Sequence, residues 1–124
     1  MNFNAGDVVA VDFPGVNGIK RRPTIVLSSM TYHKNRPDVI VGLLTSQSGS
    51  LGVTDYRLQD WKDSKLKVSS VFRCFIATLP PSANFVYVRR LSDRDWQDVC
   101  VCVKVSFDSR SERLRQRSLM QNEP

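Results

Sequence analysis

Apolar and polar residues alternate in short bursts along this chain, each burst followed by residues that favour turns. Val8-Val9-Ala10-Val11-Asp12-Phe13 opens the series behind Gly6-Asp7 and reads as a half-buried strand. Thr24 to Ser28 follows, then Asp38 to Leu44, long and apolar enough to be central in a sheet. Val53 to Leu58 is a short strand, Ser69 to Leu79 another that Pro80-Pro81 stops, and Phe85 to Arg90 the last. Between them, Pro14 to Ile19 reads as a loop, Ser29 to Pro37 as a polar segment with one helical turn around Met30 to Lys34, and Gln59 to Leu66 as a short helix or turn.

The pattern then changes period. Ser92 is placed as an N-cap, Asp93 and Asp95 stand in the first turn where the helix dipole favours anions, and Leu91 with Trp96 occupies the two staple positions. Trp96, Val99, Cys100 and Val103 follow helical spacing, while Val99, Val101, Val103 and Val105 also alternate as a strand would. The start signals decide for helix. From Asp108 the chain turns polar and basic, with Arg110, Arg113, Arg115 and Arg117, and is expected to be a helix extension fraying into a mobile tail. Residues 1–107 are thus expected to form one domain and 108–124 a basic extension. Five or six short strands with little helix predict a mainly β fold: a small, strongly curved antiparallel sheet or partly open barrel with a C-terminal helix.

At 124 residues the chain can bury a core without metals or disulfides. With 41% apolar and 24% charged residues its composition is that of a folded domain, not of a disordered one. No apolar run approaches the length of a membrane span, and the first residues lack the basic and apolar regions of a signal peptide, so no membrane contact and a cytoplasmic location are expected. The cysteines, Cys74, Cys100 and Cys102, are odd in number and lie inside apolar runs, as reduced core thiols do. A single histidine, His33, with no second ligand cluster argues against a metal site and against a histidine-pair nuclease, and buried thiols are far commoner than a Cys-His nucleophile.

Charge narrows the picture further. The formal net charge is +6, and between Phe13 and Pro37 stand five cations, Lys20, Arg21, Arg22, Lys34 and Arg36, with no acidic residue. A field of one sign draws an anionic partner, nucleic acid foremost. Lys20-Arg21-Arg22-Pro23 delivers three of those cations straight into the Thr24 run, so it reads as a charged loop pinned to a buried strand. The proline restricts Arg22 to extended geometry, and a guanidinium so held can grip two phosphate oxygens at once. Thr45-Ser46-Gln47 closes the third strand with hydroxyls that either bond a phosphate or satisfy the strand end. Ser48 to Gly52 is a flexible loop able to fold over a substrate.

Four of these stretches, in this order, resemble one family. Gly6-Asp7-Val8-Val9, Arg21-Arg22-Pro23-Thr24-Ile25-Val26-Leu27-Ser28, Leu43-Leu44-Thr45-Ser46-Gln47, and Ser70-Val71-Phe72-Arg73 leading to Ile76-Ala77-Thr78-Leu79 are similar to the MazF/PemK toxins of bacterial toxin-antitoxin systems, over roughly residues 5 to 107. Asp55 and the Leu91-Ser92 pair fit the same pattern. The resemblance implies an SH3-like β-barrel that forms a homodimer and acts, without metal or cofactor, as an endoribonuclease on single-stranded RNA at a short preferred sequence. It implies a cognate antitoxin whose disordered acidic segment occupies the RNA groove and through which alone DNA is contacted. The family's usual catalytic pair falls on Arg22 and Thr45; Lys20, Arg21, Ser46 and Gln47 would be second-line contacts to RNA.

The chain also departs from the family. Where many relatives carry Gln-Ile-Arg-Thr, it reads Phe75-Ile76-Ala77-Thr78. Phe75 either stacks on an RNA base or belongs to the core, the commoner fate of a phenylalanine. The same fold serves toxins that bind DNA gyrase without enzymatic activity, and a binding module without cleavage is a third class.

Overall fold

Antiparallel pairing joins the strands of a computed structural model, which describes residues 2–46 and 49–111, in the order β4-β5-β3-β2-β1-β6. In chain order these are β1 (Asp7–Gly15), β2 (Gly18–Val26), β3 (Val39–Thr45), β4 (Asp55–Arg57), β5 (Val71–Leu79) and β6 (Val86–Arg90). Helix α1 (Met30–Asn35) follows β2 and helix α2 (Asp93–Phe107) follows β6. The fold is the expected one: mainly β, a curved antiparallel sheet with a C-terminal helix, left open between β4 and β6. Among the described residues no helix is long and apolar enough to cross a membrane.

The first hairpin corrects two expectations. Gly15 pairs with Gly18, so the loop expected over Pro14 to Ile19 shrinks to a turn at Val16-Asn17, with Gly18 at φ +101 where a side chain is disfavoured. The basic tetrapeptide is therefore strand, not loop: Lys20 to Pro23 pair with Phe13 to Ala10. β3 begins to pair with β2 only at Thr24, so Pro23 stands where the second ladder has not yet started, a place sheets tolerate it.

Alternation along the strands supplies two cores, one on each face. Val8, Ile25, Leu44 and Phe72 face α2 and pack with Leu91, Val99 and Cys102. Val9, Val11, Phe13, Val26, Val39, Val41 and Leu79 line the other face with Ala83. Burial on both faces accounts for the nearly unbroken apolar run at the start of β1. Gly42 is required by packing, because a Cβ there would stand 2.5 Å from the Phe72 ring. Close by, the β3–β5 register shifts: Gly42 pairs with Ile76 and Leu44 with Phe72, leaving Arg73, Cys74 and Phe75 opposite Leu43 alone. The extra residues disrupt the ladder locally, while alternation keeps Arg73 and Phe75 on the face of Ala77 and Leu79, away from the α2 side.

Helix α2 starts as expected, with the Ser92 hydroxyl accepting from the Asp95 N–H at 3.3 Å. Asp95 does more than neutralise the first turn. It is fully buried and accepts from the Tyr56 hydroxyl (2.6 Å) and from the N–H groups of Gln59 and Asp60 (2.9 Å each), tying the helix to the segment after β4. Burial, reinforced by that hydrogen bond to Asp95, pushes the Tyr56 phenol above its ordinary range. Gln59 to Leu66 forms turns, not a helix, with Lys65 in the left-handed region at φ 57. The helix ends at Phe107 and a single 3-10 turn, Ser109–Ser111, follows. Arg113, Arg115 and Arg117 of the expected extension lie outside the described residues.

Candidate nucleic-acid interface

Where the second core runs out, the same strand faces open into a groove of about 440 Å³. Its lining comes from Phe13, Lys20, Arg22, Leu43, Thr45, Arg73 and Phe75, with Pro14 to Gly18 of the hairpin along one side. Strand periodicity explains the set. Lys20 and Arg22 share a face with Val26, Leu43 and Thr45 with Val39 and Val41, and Phe13 with Val9 and Val11, so one alternation buries valines at one end and presents polar groups at the other. The β2–β3 ladder pairs Thr24 with Leu43, and continuing that register by about two residues sets Arg22 opposite Thr45.

The groove is cationic along its lining. No Asp or Glu lines it, and among the described residues Lys20, Arg22 and Arg73 have no carboxylate within ion-pair distance. Arg73 is half-buried, and its Nε is out of contact with solvent and has no hydrogen-bond partner. A buried donor left so is costly to the folded protein, and an anion in the groove would answer it.

Arg21, expected beside Arg22 on an RNA, points to the opposite face because neighbours on a strand alternate. There it forms an ion pair with Asp12 at 3.3 Å and donates to the Asn84 carbonyl oxygen, and it is absent from the groove lining. Ser46 is exposed just past the end of β3 and does not line the groove either. Gln47 lies outside the described residues. Phe75, for which the core was the commoner expectation, stands 61% exposed. It shares a face with Ala77 and Leu79 but lies beyond the end of the second core, where that face opens into the groove.

Arg73 is the groove residue the sequence reading passed over. Alternation along β5 sets it on the face of Phe75, Ala77 and Leu79, opposite Phe72 and Cys74, a side that becomes visible only once Leu79 is known to belong to the second core. His33 is engaged elsewhere, its Nε2 hydrogen-bonded to the buried Ser28 hydroxyl. No disulfide joins the cysteines, of which Cys102 is buried and the other two half-buried, and burial pushes the Cys100 thiol up, away from nucleophilic use.

Residues 4–107 match the family model of the PemK-like, MazF-like toxins of type II toxin-antitoxin systems. No curated protein sequence matches the chain. Among solved structures, an endoribonuclease in complex with its cognate antitoxin from a mycobacterial species superposes with a TM-score of 0.70 at 16% identity, over 85% of this chain and 94% of that one. MazF from Deinococcus radiodurans gives 0.69 at 20% identity, over 86% and 96%. The Mycobacterium tuberculosis toxin MazF-mt6 gives 0.68 at 17% identity, over 82% and 96%. These likenesses establish the shared fold.

Proposed function

The chain belongs to the PemK-like, MazF-like toxins of type II toxin-antitoxin systems, and on that premise we propose that it is an endoribonuclease cutting single-stranded RNA in the groove between β2, β3 and β5. The observation that carries the reading is the gathering of Lys20, Arg22, Arg73 and Thr45 in one groove free of carboxylates. RNA brings its own nucleophile. The 2′-oxygen attacks the adjacent phosphorus and gives up its proton to solvent, the bond from phosphorus to the 5′-oxygen breaks, and that oxygen takes up a proton. The products are a cyclic phosphate and a 5′-hydroxyl.

What the protein adds is orientation and charge. Arg22 stabilises the extra negative charge on the crowded phosphorus; a guanidinium keeps its proton, so its role is electrostatic. Thr45, opposite it, holds the phosphate by a hydrogen bond and fixes the line of attack. Lys20 and Arg73 neutralise the flanking backbone. Arginine and lysine supply the charge stabilisation that a divalent cation provides in other nucleases, and no carboxylate, imidazole or thiol lines the groove to ligate one.

A cognate antitoxin with an acidic segment would compete for the same cations, as two of the structural relatives, both held in complex with antitoxins, encourage one to ask. A homodimer belongs to the same reading, and the exposed Val86 and Tyr87 on the outer strand β6 offer an apolar surface for it. The deciding experiment is incubation of the purified protein with a long single-stranded RNA in EDTA. Discrete fragments ending in cyclic phosphate, lost in Arg22→Ala and Thr45→Ala, are expected. Tight binding without cleavage, or inhibition of DNA gyrase in its place, would overturn the assignment.

A further inference from the structure

We propose that Phe75 is a stacking platform for the base of the nucleotide next to the scissile phosphate, so that this toxin takes that base by its face and not by its hydrogen-bonding edge. The proposal rests on the nuclease reading for the identity of the polymer and deepens it by assigning how one nucleotide is recognised.

Three observations converge on Phe75. Its ring is 61% exposed although it lies inside a β-strand, on the groove face, beside cations that have no carboxylate partner among the described residues. The ring is held from below: Phe13, only 5% exposed, meets it edge-on with centroids 6.5 Å apart and planes at 80°, fixing its tilt while leaving its outer side open to the groove. The bulge opposite Leu43 sets Phe75 one step along the groove from Arg22 and Thr45, since Leu43 and Thr45 are successive residues on the same face of β3.

The rest of the lining favours a base over other occupants. Cations interleaved with exposed aromatic surface are what a single strand of nucleic acid requires, phosphates for the charges and bases for the rings. An acidic peptide would use the cations but has no regular planar group for the ring. Edge-reading groups are scarce: apart from backbone, Asn17 and the Thr45 hydroxyl are the uncharged hydrogen-bonding side chains among the lining residues. Every base has a π-face, so recognition by stacking tolerates all four bases at that position while demanding that some base be present.

The test uses the full-length protein and a series of single-stranded oligonucleotides, each with one scissile ribonucleotide, in which an abasic spacer is walked along both sides of the cut. The wild type should lose between about 5- and 150-fold in cleavage at one adjacent position, the span that base–aromatic stacking supplies, and far less when the four bases are exchanged there. Phe75→Ala should lose about as much on the intact oligonucleotide and become indifferent to the spacer. Phe75→Tyr should restore the wild-type pattern and Phe75→Leu should not, a distinction that a purely structural role would not produce. An abasic walk without a sensitive position, or a Phe75→Ala variant as sensitive to it as the wild type, would overturn the proposal. If the wild type cleaves no RNA, the nuclease reading falls alone, and the affinity of the same oligonucleotides decides: affinity unchanged by Phe75→Ala, or lost only for an acidic peptide, sinks the stacking platform.

Discussion

The Asp95 carboxylate at the start of α2 and the Nε of the half-buried Arg73 in the groove are both out of contact with water, and among the described residues only Asp95 finds partners. Asp95 accepts from a phenol and two backbone N–H groups, and its neighbour Asp60 is gripped by Arg94 and Ser92. Among the described residues the Arg73 Nε has no hydrogen-bond partner, and Lys20 and Arg22 beside it have no carboxylate within ion-pair distance. Satisfied polar groups rigidify a structure, whereas groups left short of partners at an open surface make a site that an incoming ligand completes. On the proposed function, the α2 end is architecture and the groove is the working site, both on one sheet.

The sharpest way to break that division is Arg22→Ala. The side chain is exposed and forms no ion pair among the described residues, so the variant should melt within about 2 °C of the wild type. Its RNA cleavage should fall by about 10²- to 10³-fold, the cost of deleting a preorganised charge donor. Parallel melting curves and single-turnover rates check this, and an unfolded variant would show that the groove is architecture after all.

Asp95→Ala should do the reverse. It strands the Tyr56 hydroxyl and the N–H groups of Gln59 and Asp60 in a buried place, at a cost of about 3 kcal/mol or more read from the denaturant midpoint. Wherever the variant remains folded, its cleavage rate should match the wild type. Arg73 sharpens the contrast from the other side. Arg73→Leu should weaken RNA binding about tenfold or more and lower the salt slope by about one, the signature of one lost phosphate contact. Stability should not fall, and should rise by up to about 1 kcal/mol, because an unpartnered donor has been removed. A marked loss of stability would mean that Arg73 serves the fold.

Most of the architecture could be read from the chain because period and punctuation agree. Val8 to Phe13, Asp38 to Leu44, the stop at Pro80-Pro81 and the cap at Ser92 each carry a local signal that the fold obeys. What could not be read are facts of register. That Lys20 to Pro23 continue a strand depends on Gly15 meeting Gly18, and only then does alternation send Arg22 into the groove and Arg21 to Asp12. Phe75 and Arg73 share the face of Ala77 and Leu79 by alternation, but the three residues 73–75 stand opposite Leu43 alone, a register irregularity that their own stretch does not announce. Asp95 bonds Tyr56 across a separation of 39 residues, a partnership no first-turn signal announces. Thr45 closes β3 as its polar switch announces, whereas Arg22 lies in the middle of β2, and the two meet because the β2–β3 register, continued past Thr24 and Leu43, sets them opposite one another.

The smallest effect lies at the rim of the α2 clasp. Asp60 accepts from Arg94 through Nε at 2.7 Å and Nη2 at 2.6 Å, and from the Ser92 hydroxyl at 2.6 Å. The Arg94 hydrogen bonds, then that of Ser92, hold its carboxyl at about 2 against an ordinary 3.8. A carboxylate lowered on folding stabilises the protein above its unfolded pKa and ceases to do so as pH falls through its folded one. The contribution of this pair should therefore be complete above about pH 5 and fade between about pH 4 and 2. Arg94 is 60% exposed, so solvent screens the pair and Arg94→Ala should cost little at neutral pH. The difference in melting temperature between wild type and Arg94→Ala, measured from pH 6 down to pH 2.5 at constant ionic strength, should shrink toward zero. Curves that stay parallel would show that Arg94 supports the helix start by packing and not by its charge, and would move the boundary between architecture and solvent inward from Asp60 to Asp95.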